Sequence, residues 1–164
     1  MKTMKLRQAF IMILCTFVLF AFAGCNLSEI KQNESYVASV KSLVNDCINY
    51  NRTLKKQEEV FNCHDKEKTK QYISTMDALS ETFRKLAQLQ PTDEFGDFND
   101  DIRSRSGEAL SCITRLRTLA SYAAEHEDDT LFRNDKEEIH DEYDACCALL
   151  RALSSEVQTY WRNA

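Results

Sequence analysis

Cysteine carries the most potential chemistry in this chain, with seven among 164 residues. Cys47, Cys112 and the adjacent Cys146 and Cys147 are candidates for disulfides, because two thiols brought together can be oxidised. Buried alone, each would serve as a small apolar filler. Cys63 is followed by His64, and His126 could meet them. Together they would offer three of the roughly four ligands that zinc takes; separate surface residues are the simpler reading. Glu137 and His140 form one E-x-x-H. Residues three apart project from one helix face, and di-iron bundles use two such copies with two further Glu. A single copy reads instead as a solvated charged face.

Other chemistries lack their residues. There is no C-x-x-C and no C-x-x-C-H, which removes redox-motif and haem-attachment readings. No serine sits in a G-x-S-x-G elbow. Asp93 to Asp101 is acid-rich but lacks the order of a calcium loop. Gly24, Gly96 and Gly107 stand too far apart to cradle a phosphate. The expectation is a protein that is not an enzyme, with no catalytic residue, no metal and no cofactor.

The first 25 residues carry an address. Lys2, Lys5 and Arg7 form a basic start with no acid near them, and Ala9 to Ala23 is almost wholly apolar. A membrane-spanning helix needs about 20 apolar residues. This run is shorter and small residues follow it, so it reads as a secretory signal peptide. Ala21-Phe22-Ala23 fits an ordinary A-x-A cleavage site, which would release a soluble secreted protein. Phe22-Ala23-Gly24-Cys25 also resembles the lipobox of bacterial lipoproteins. That resemblance implies cleavage between Gly24 and Cys25, with diacylglycerol on the Cys25 thiol and usually an acyl chain on its new amino group. Phe22 departs from the usual Leu-like residue. The likeness covers the export signal alone. Each buried CH₂ contributes about 0.8 kcal/mol, so two or three chains hold firmly where one would not. Asn26 is not the Asp that typifies inner-membrane retention in that family. The expected location is the cell membrane or outer membrane, lipid-anchored, facing the periplasm or the extracellular side.

Removing residues 1–24 would leave 140 residues, the size of one domain. It would also remove three bases and no acid, taking the formal net charge from −5 to −8. An acidic body argues against nucleic acid as a partner and against electrostatic adsorption to anionic lipid. Membrane affinity then comes from acyl chains on Cys25.

The elements that must position these residues are helical. Three Gly and one Pro are too few for the turns of a sandwich or barrel. After a short polar tether over 25–34, four apolar stripes follow at steps of three and four. The first is Val37, Val40, Val44, Cys47 and Leu54, flanked by Leu43 and Ile48. The second is Tyr72, Met76, Leu79, Phe83 and Leu86, ending before Pro91. A third helix is expected from Pro91-Thr92-Asp93-Glu94, with Phe95, Phe98, Ile102, Ala109, Ile113, Leu116, Ala120 and Ala123 inward. Asp128-Asp129-Thr130 offers caps for a fourth, striped by Phe132, Ile139, Tyr143, Cys146, Leu150, Leu153, Val157 and Tyr160.

The expected fold is all-α. Residues 35–164 would form an up-down-up-down four-helix bundle after a cleaved N-terminal signal peptide, packed like a left-handed coiled coil. The alternative fuses the first two segments into one long helix, giving a three-helix bundle. In the four-helix form Cys47, Cys112, Cys146 and Cys147 all stand about 27–30 Å from the lipid end. A bond between the adjacent Cys146 and Cys147 would be strained. Two pairings remain: Cys47–Cys146 with Cys112–Cys147, or Cys47–Cys147 with Cys112–Cys146. Cys63 is left over at the far end, free or open to an intermolecular bond.

Charge is also uneven. Residues 125–144 hold ten acids and two bases, and 52–70 hold six bases and four acids. The simpler reading is mutual attraction of two hairpins, worth about 0–1 kcal/mol per exposed pair. The sharper one is an acidic docking face, Glu137, Glu138, Asp141 and Glu142, for a basic protein partner. Tyr160-Trp161 reads as an anchor at the membrane-proximal end. The leading functional expectation is a non-enzymatic protein-binding or structural lipoprotein of the cell envelope. A small-molecule or metal carrier using the bundle interior and a toxin-neutralising immunity lipoprotein are the alternatives.

Overall fold

A computed structural model of the chain describes the backbone of residues 2–164 and the side chains of residues 27–164. It is all-helical, with four long helices and no strand among the described residues. They are α1 (Lys2–Glu59), α2 (Lys66–Ala87), α3 (Gly96–His126) and α4 (Thr130–Asn163), with a short 3₁₀ turn at Asp93–Phe95. Each helix packs chiefly on two others: α1 on α2 and α4, and α3 on α2 and α4. The four therefore surround one core, filled by the stripes that the sequence spacing marks. Val40, Leu54, Met76, Leu79, Phe83, Ile102, Ile113 and Leu116 are fully buried.

The fusion of the first two segments into one helix does not occur. Residues 60–65 break the chain without Gly or Pro, using polar side chains that compete with the helical backbone. Asn62 Oδ1 accepts from the His64 amide at 3.0 Å, and Asp65 Oδ1 accepts from the Lys68 amide at 3.1 Å as the cap of α2. Apolar packing fixes the same turn. Phe61 packs tilted against Tyr72 and Phe132, with ring centroids 5.3 and 4.6 Å away. Cys63 is buried here, so it is not presented for an intermolecular bond.

The third helix begins later than the sequence suggests. Pro91 and Thr92 stay outside it, and the 3₁₀ turn carries Phe95 into the core. Phe95 gathers Tyr36, Tyr160 and Trp161 within 5.3–6.3 Å between ring centroids. Aromatic pairs of this kind add about 0.5–1.5 kcal/mol beyond their buried area. The stretch 25–34, which reads from the sequence as a tether, lies within α1. Asn33 is already docked there: its amide donates to Glu94 Oε2 and its carbonyl accepts from the Thr92 hydroxyl.

Between α3 and α4 the chain turns at Glu127, whose φ of 53° lies in the left-handed region. Helices usually end this way on glycine, because a Cβ crowds the following carbonyl. The Asp128 amide reaches back to the Ala123 carbonyl at 3.2 Å, and Asp128 Oδ1 accepts from the Thr130 amide at 2.9 Å. Replacing Glu127 by Gly should therefore stabilise the fold by about 1 kcal/mol, since the strain exceeds the loss of an exposed contact with His64. Thermal unfolding followed by circular dichroism should show a rise of about 3 °C.

Candidate functional site

The polar groups that sequence spacing singled out fall into three places. The first is the seam between α1 and α4. Glu58, on the last turn of α1, sits between Lys136 and His140 of α4. Its carboxylate oxygens lie 3.1 Å from Lys136 Nζ and 2.6 Å from His140 Nε2. The His140 contact is close but is not a well-aligned hydrogen bond, and neither ring nitrogen of His140 has a hydrogen-bond partner. One turn away, Lys55 Nζ meets Asp144 Oδ2 at 2.7 Å. Lys55, Glu58, Glu59, Lys136 and His140 line an open pocket of about 280 Å³. The single E-x-x-H thus has its histidine turned inward against α1, not outward on a solvated face. The side chains of Glu58 and His140 are 13% and 15% exposed, so their pairing is far less screened than the surface pairs around them.

Burial alone would push the Glu58 carboxyl up, but His140 and Lys136 together outweigh it and hold it below the usual range. Tyr72 lies near the same carboxylate. Its phenol is pushed up by burial and then by Glu58, and its hydroxyl has no hydrogen-bond partner. Glu58 is the residue that sequence reasoning missed. The available signal was Lys136, His140 and Asp144 at steps of four on α4, opposite Lys55 and Glu58 three apart on α1.

The second place is the layer of thiols. Cys47, Cys112, Cys146 and Cys147 are all buried, 5–8% exposed, and all four are free thiols, so neither disulfide pairing expected from the sequence is formed here. Cys47 and Cys147 line one small pocket of about 10 Å³ on the α1–α4 side, with Val44, Ile48, Asn51, Leu150 and Arg151. Cys112 and Cys146 lie on the α3–α4 side. The Cys112 thiol donates to Glu142 Oε2 at 3.7 Å, and the Cys146 thiol donates to Glu108 Oε2 at 3.6 Å. Burial pushes all four thiols up, Cys112 and Cys147 to about 11. At neutral pH they stay protonated, which makes them poor nucleophiles.

The third place is the acidic face. Glu137, Glu138, Asp141 and Glu142 are all exposed. Glu142 is tied to Arg115 of α3 at 2.7 Å. Among the described residues the other three make no ion pair. His64, His126 and Cys63 are not brought together as ligands: His64 approaches Glu127 at 3.9 Å, His126 stacks on Tyr122, and Cys63 is buried. Among the described residues no group of three His, Cys, Asp or Glu side chains could hold a metal ion, and no helix is long and apolar enough to cross a membrane. Gly24 and Cys25 lie outside the residues whose side chains are described.

The lowered Glu58 carboxyl has a pH consequence. Its contribution to stability is fully present above the ordinary carboxyl value of about 4.3. It is lost as pH falls through the lower folded-state value, where Glu58 takes up a proton. Glu58→Gln should cost about 1–3 kcal/mol at pH 7, because it leaves Lys136 without its counter-charge and removes the carboxylate beside His140. Urea unfolding should show that this difference shrinks steadily below pH 4.

Comparison with models of known protein families, with curated proteins and with solved structures finds no match to this chain.

Proposed function

We propose that the chain is a lipid-anchored lipoprotein of a bacterial cell envelope whose helical body binds another protein or braces the surface without catalysing a reaction. The observation that carries this is Phe22-Ala23-Gly24-Cys25, placed directly after a basic start and a short apolar run. In this reading residues 1–24 are removed as a signal peptide and Cys25 holds the acyl chains. The body would face the periplasm or the extracellular side.

We also propose an up-down-up-down order for the four helices. Residues near Asn33 of α1 meet Thr92 and Glu94 just before α3, and Phe95 meets Tyr160 and Trp161 at the end of α4. At the other end, Phe61 after α1 meets Tyr72 early in α2 and Phe132 early in α4. Such end-to-end matches suit helices that alternate in direction.

The reading also places the body close to its anchor. Asn33 is docked only eight residues after Cys25, about 12 Å along a helix. Tyr160 packs edge-on and Trp161 tilted against Phe95 at that same end, with Tyr160 42% exposed. Amphipathic rings of this type sit well at a membrane interface. The small pocket beside Cys47 has about the volume of one water-sized probe sphere, which leaves a carrier little room there. Glu137, Glu138 and Asp141 remain available to a basic partner on the side of α4.

The test is fractionation of cells expressing the native chain and Cys25→Ser, with labelled palmitate supplied. The native chain should take up label and sediment with membranes, and Cys25→Ser should do neither. Equal sedimentation of the two forms, or no label in the native chain, overturns the anchoring. For the binding role, a protein cross-linked to the native chain in the envelope should be lost from a Glu137→Lys, Glu138→Lys, Asp141→Lys variant that still sediments.

A further inference from the structure

The end of the bundle nearest Cys25 leaves a run of apolar side chains uncovered. Leu27 is 59% exposed and Ile30 50%, and residues three apart lie on one face of α1. Ile30 lines an open notch of about 430 Å³ together with Trp161 of α4, Asn33 and the carboxylates of Glu29 and Glu94. Tyr160, beside Trp161, is exposed as well, while its ring packs against Phe95 and Phe98. The uncovered run therefore passes from α1 to the last turn of α4.

Distance along α1 identifies what covers it. With Cys25 acylated, its lipid chains fix that residue at the boundary between hydrocarbon and headgroups. Leu27 stands about 3 Å beyond Cys25 along the helix, and Ile30 about 8 Å. The headgroup layer on each side of a bilayer is about 5–8 Å thick. Leu27, Ile30 and the indole that shares its notch thus fall within that layer when α1 stands along the membrane normal. Trp and Tyr concentrate at the same depth in membrane proteins. Charge selects the lipid. Glu29 and Glu94 line the first notch, and Glu29 and Asp93 line a second of about 410 Å³. These carboxylates repel anionic headgroups, whereas the ammonium of a zwitterionic lipid meets both opposite charge and an indole face.

We propose that this end is a lipid-contact surface: Leu27, Ile30, Tyr160 and Trp161 of the acylated protein are seated in the headgroup layer of a zwitterionic bilayer. Ammonium groups of that lipid occupy the two acidic notches. This rests on the anchoring in the proposed function and adds that the body, not the acyl chains alone, meets the membrane. Contact through α1 and α4 together opposes tilting about the anchor.

Trp161 is the sole tryptophan, so its fluorescence reads the seat directly. Acylated protein extracted from membranes is reconstituted into vesicles of phosphatidylethanolamine and phosphatidylcholine. Phosphatidylcholine brominated high on its chains should quench Trp161, and phosphatidylcholine brominated near the chain ends should quench it less. Leu27→Ser combined with Ile30→Ser, both at exposed positions, should remove most of the quenching while the protein still floats with the vesicles. Val60→Ser combined with Leu131→Ser, exposed at the opposite end, should leave quenching unchanged. Adding phosphatidylglycerol should weaken it.

Acylated, vesicle-bound protein whose Trp161 is not quenched overturns the seat and leaves the anchoring intact. Quenching that survives Leu27→Ser with Ile30→Ser also overturns it, since the acyl tether alone then brings Trp161 near the lipid. Quenching that requires phosphatidylglycerol overturns the choice of lipid. Cross-linked pairs through this end, with Trp161 shielded from brominated lipid, put a second copy of the chain there instead. Extracted protein without acyl chains removes the anchoring itself, and the seat falls with it.

Discussion

The ring of four helices closes only where α1 meets α4. Every other seam joins helices that follow one another in the chain, so a short turn already holds them near each other. The α1–α4 seam has no such help and must supply its own complementarity. It does so in two registers. Val44, Cys47, Ile48, Cys147 and Leu150 pack tightly at mid-height, and farther along Glu58 is gripped by Lys136 and His140. Apolar contact supplies most of the attraction, while a half-buried charge pair selects one sliding position over its neighbours. A shift of α4 by one turn would leave Glu58 facing the wrong side chains.

Most of the helical layout was legible in the spacing of apolar residues. Tyr72, Met76, Leu79, Phe83 and Leu86 step by three and four, and all five are fully buried. The stripe of α4 was read slightly too long and too narrow. Tyr160 lies at an exposed end, and Cys147 joins the core although its neighbour Cys146 already occupies the stripe. Adjacent buried residues widen a helix face beyond one row, as a helix touching two partners requires. Pro91 and two acids make a good local helix start, yet α3 begins only at Gly96. Burial of Phe95 set the actual boundary, and that contact comes from Tyr36 and α4, far away in sequence.

The polar sites were less legible. Glu58 sits among Lys55, Lys56 and Glu59, a run that looks solvent-facing when read alone. Its importance arises only when α4 presents Lys136 and His140, nearly 80 residues later. Asn33 is similar: it stands in a polar stretch, yet it is 2% exposed because Thr92 and Glu94 satisfy its amide. Buried polar groups of this kind are tolerated when paired, and their partners cannot be inferred from local pattern. For the thiols, helix rise alone puts residues of different helices at similar heights, while the structure sets Cys112 beside Glu142 and Cys146 beside Glu108.

One further property follows from the unbroken run of α1 between Leu27 and Glu59. A helix has no soft joint unless a kink is built in, and this stretch has neither Pro nor Gly. It therefore acts as a stiff lever about 45–50 Å long. A tilt imposed near Leu27 is delivered whole to the grip on Glu58, so the two ends of the molecule share one mechanical fate.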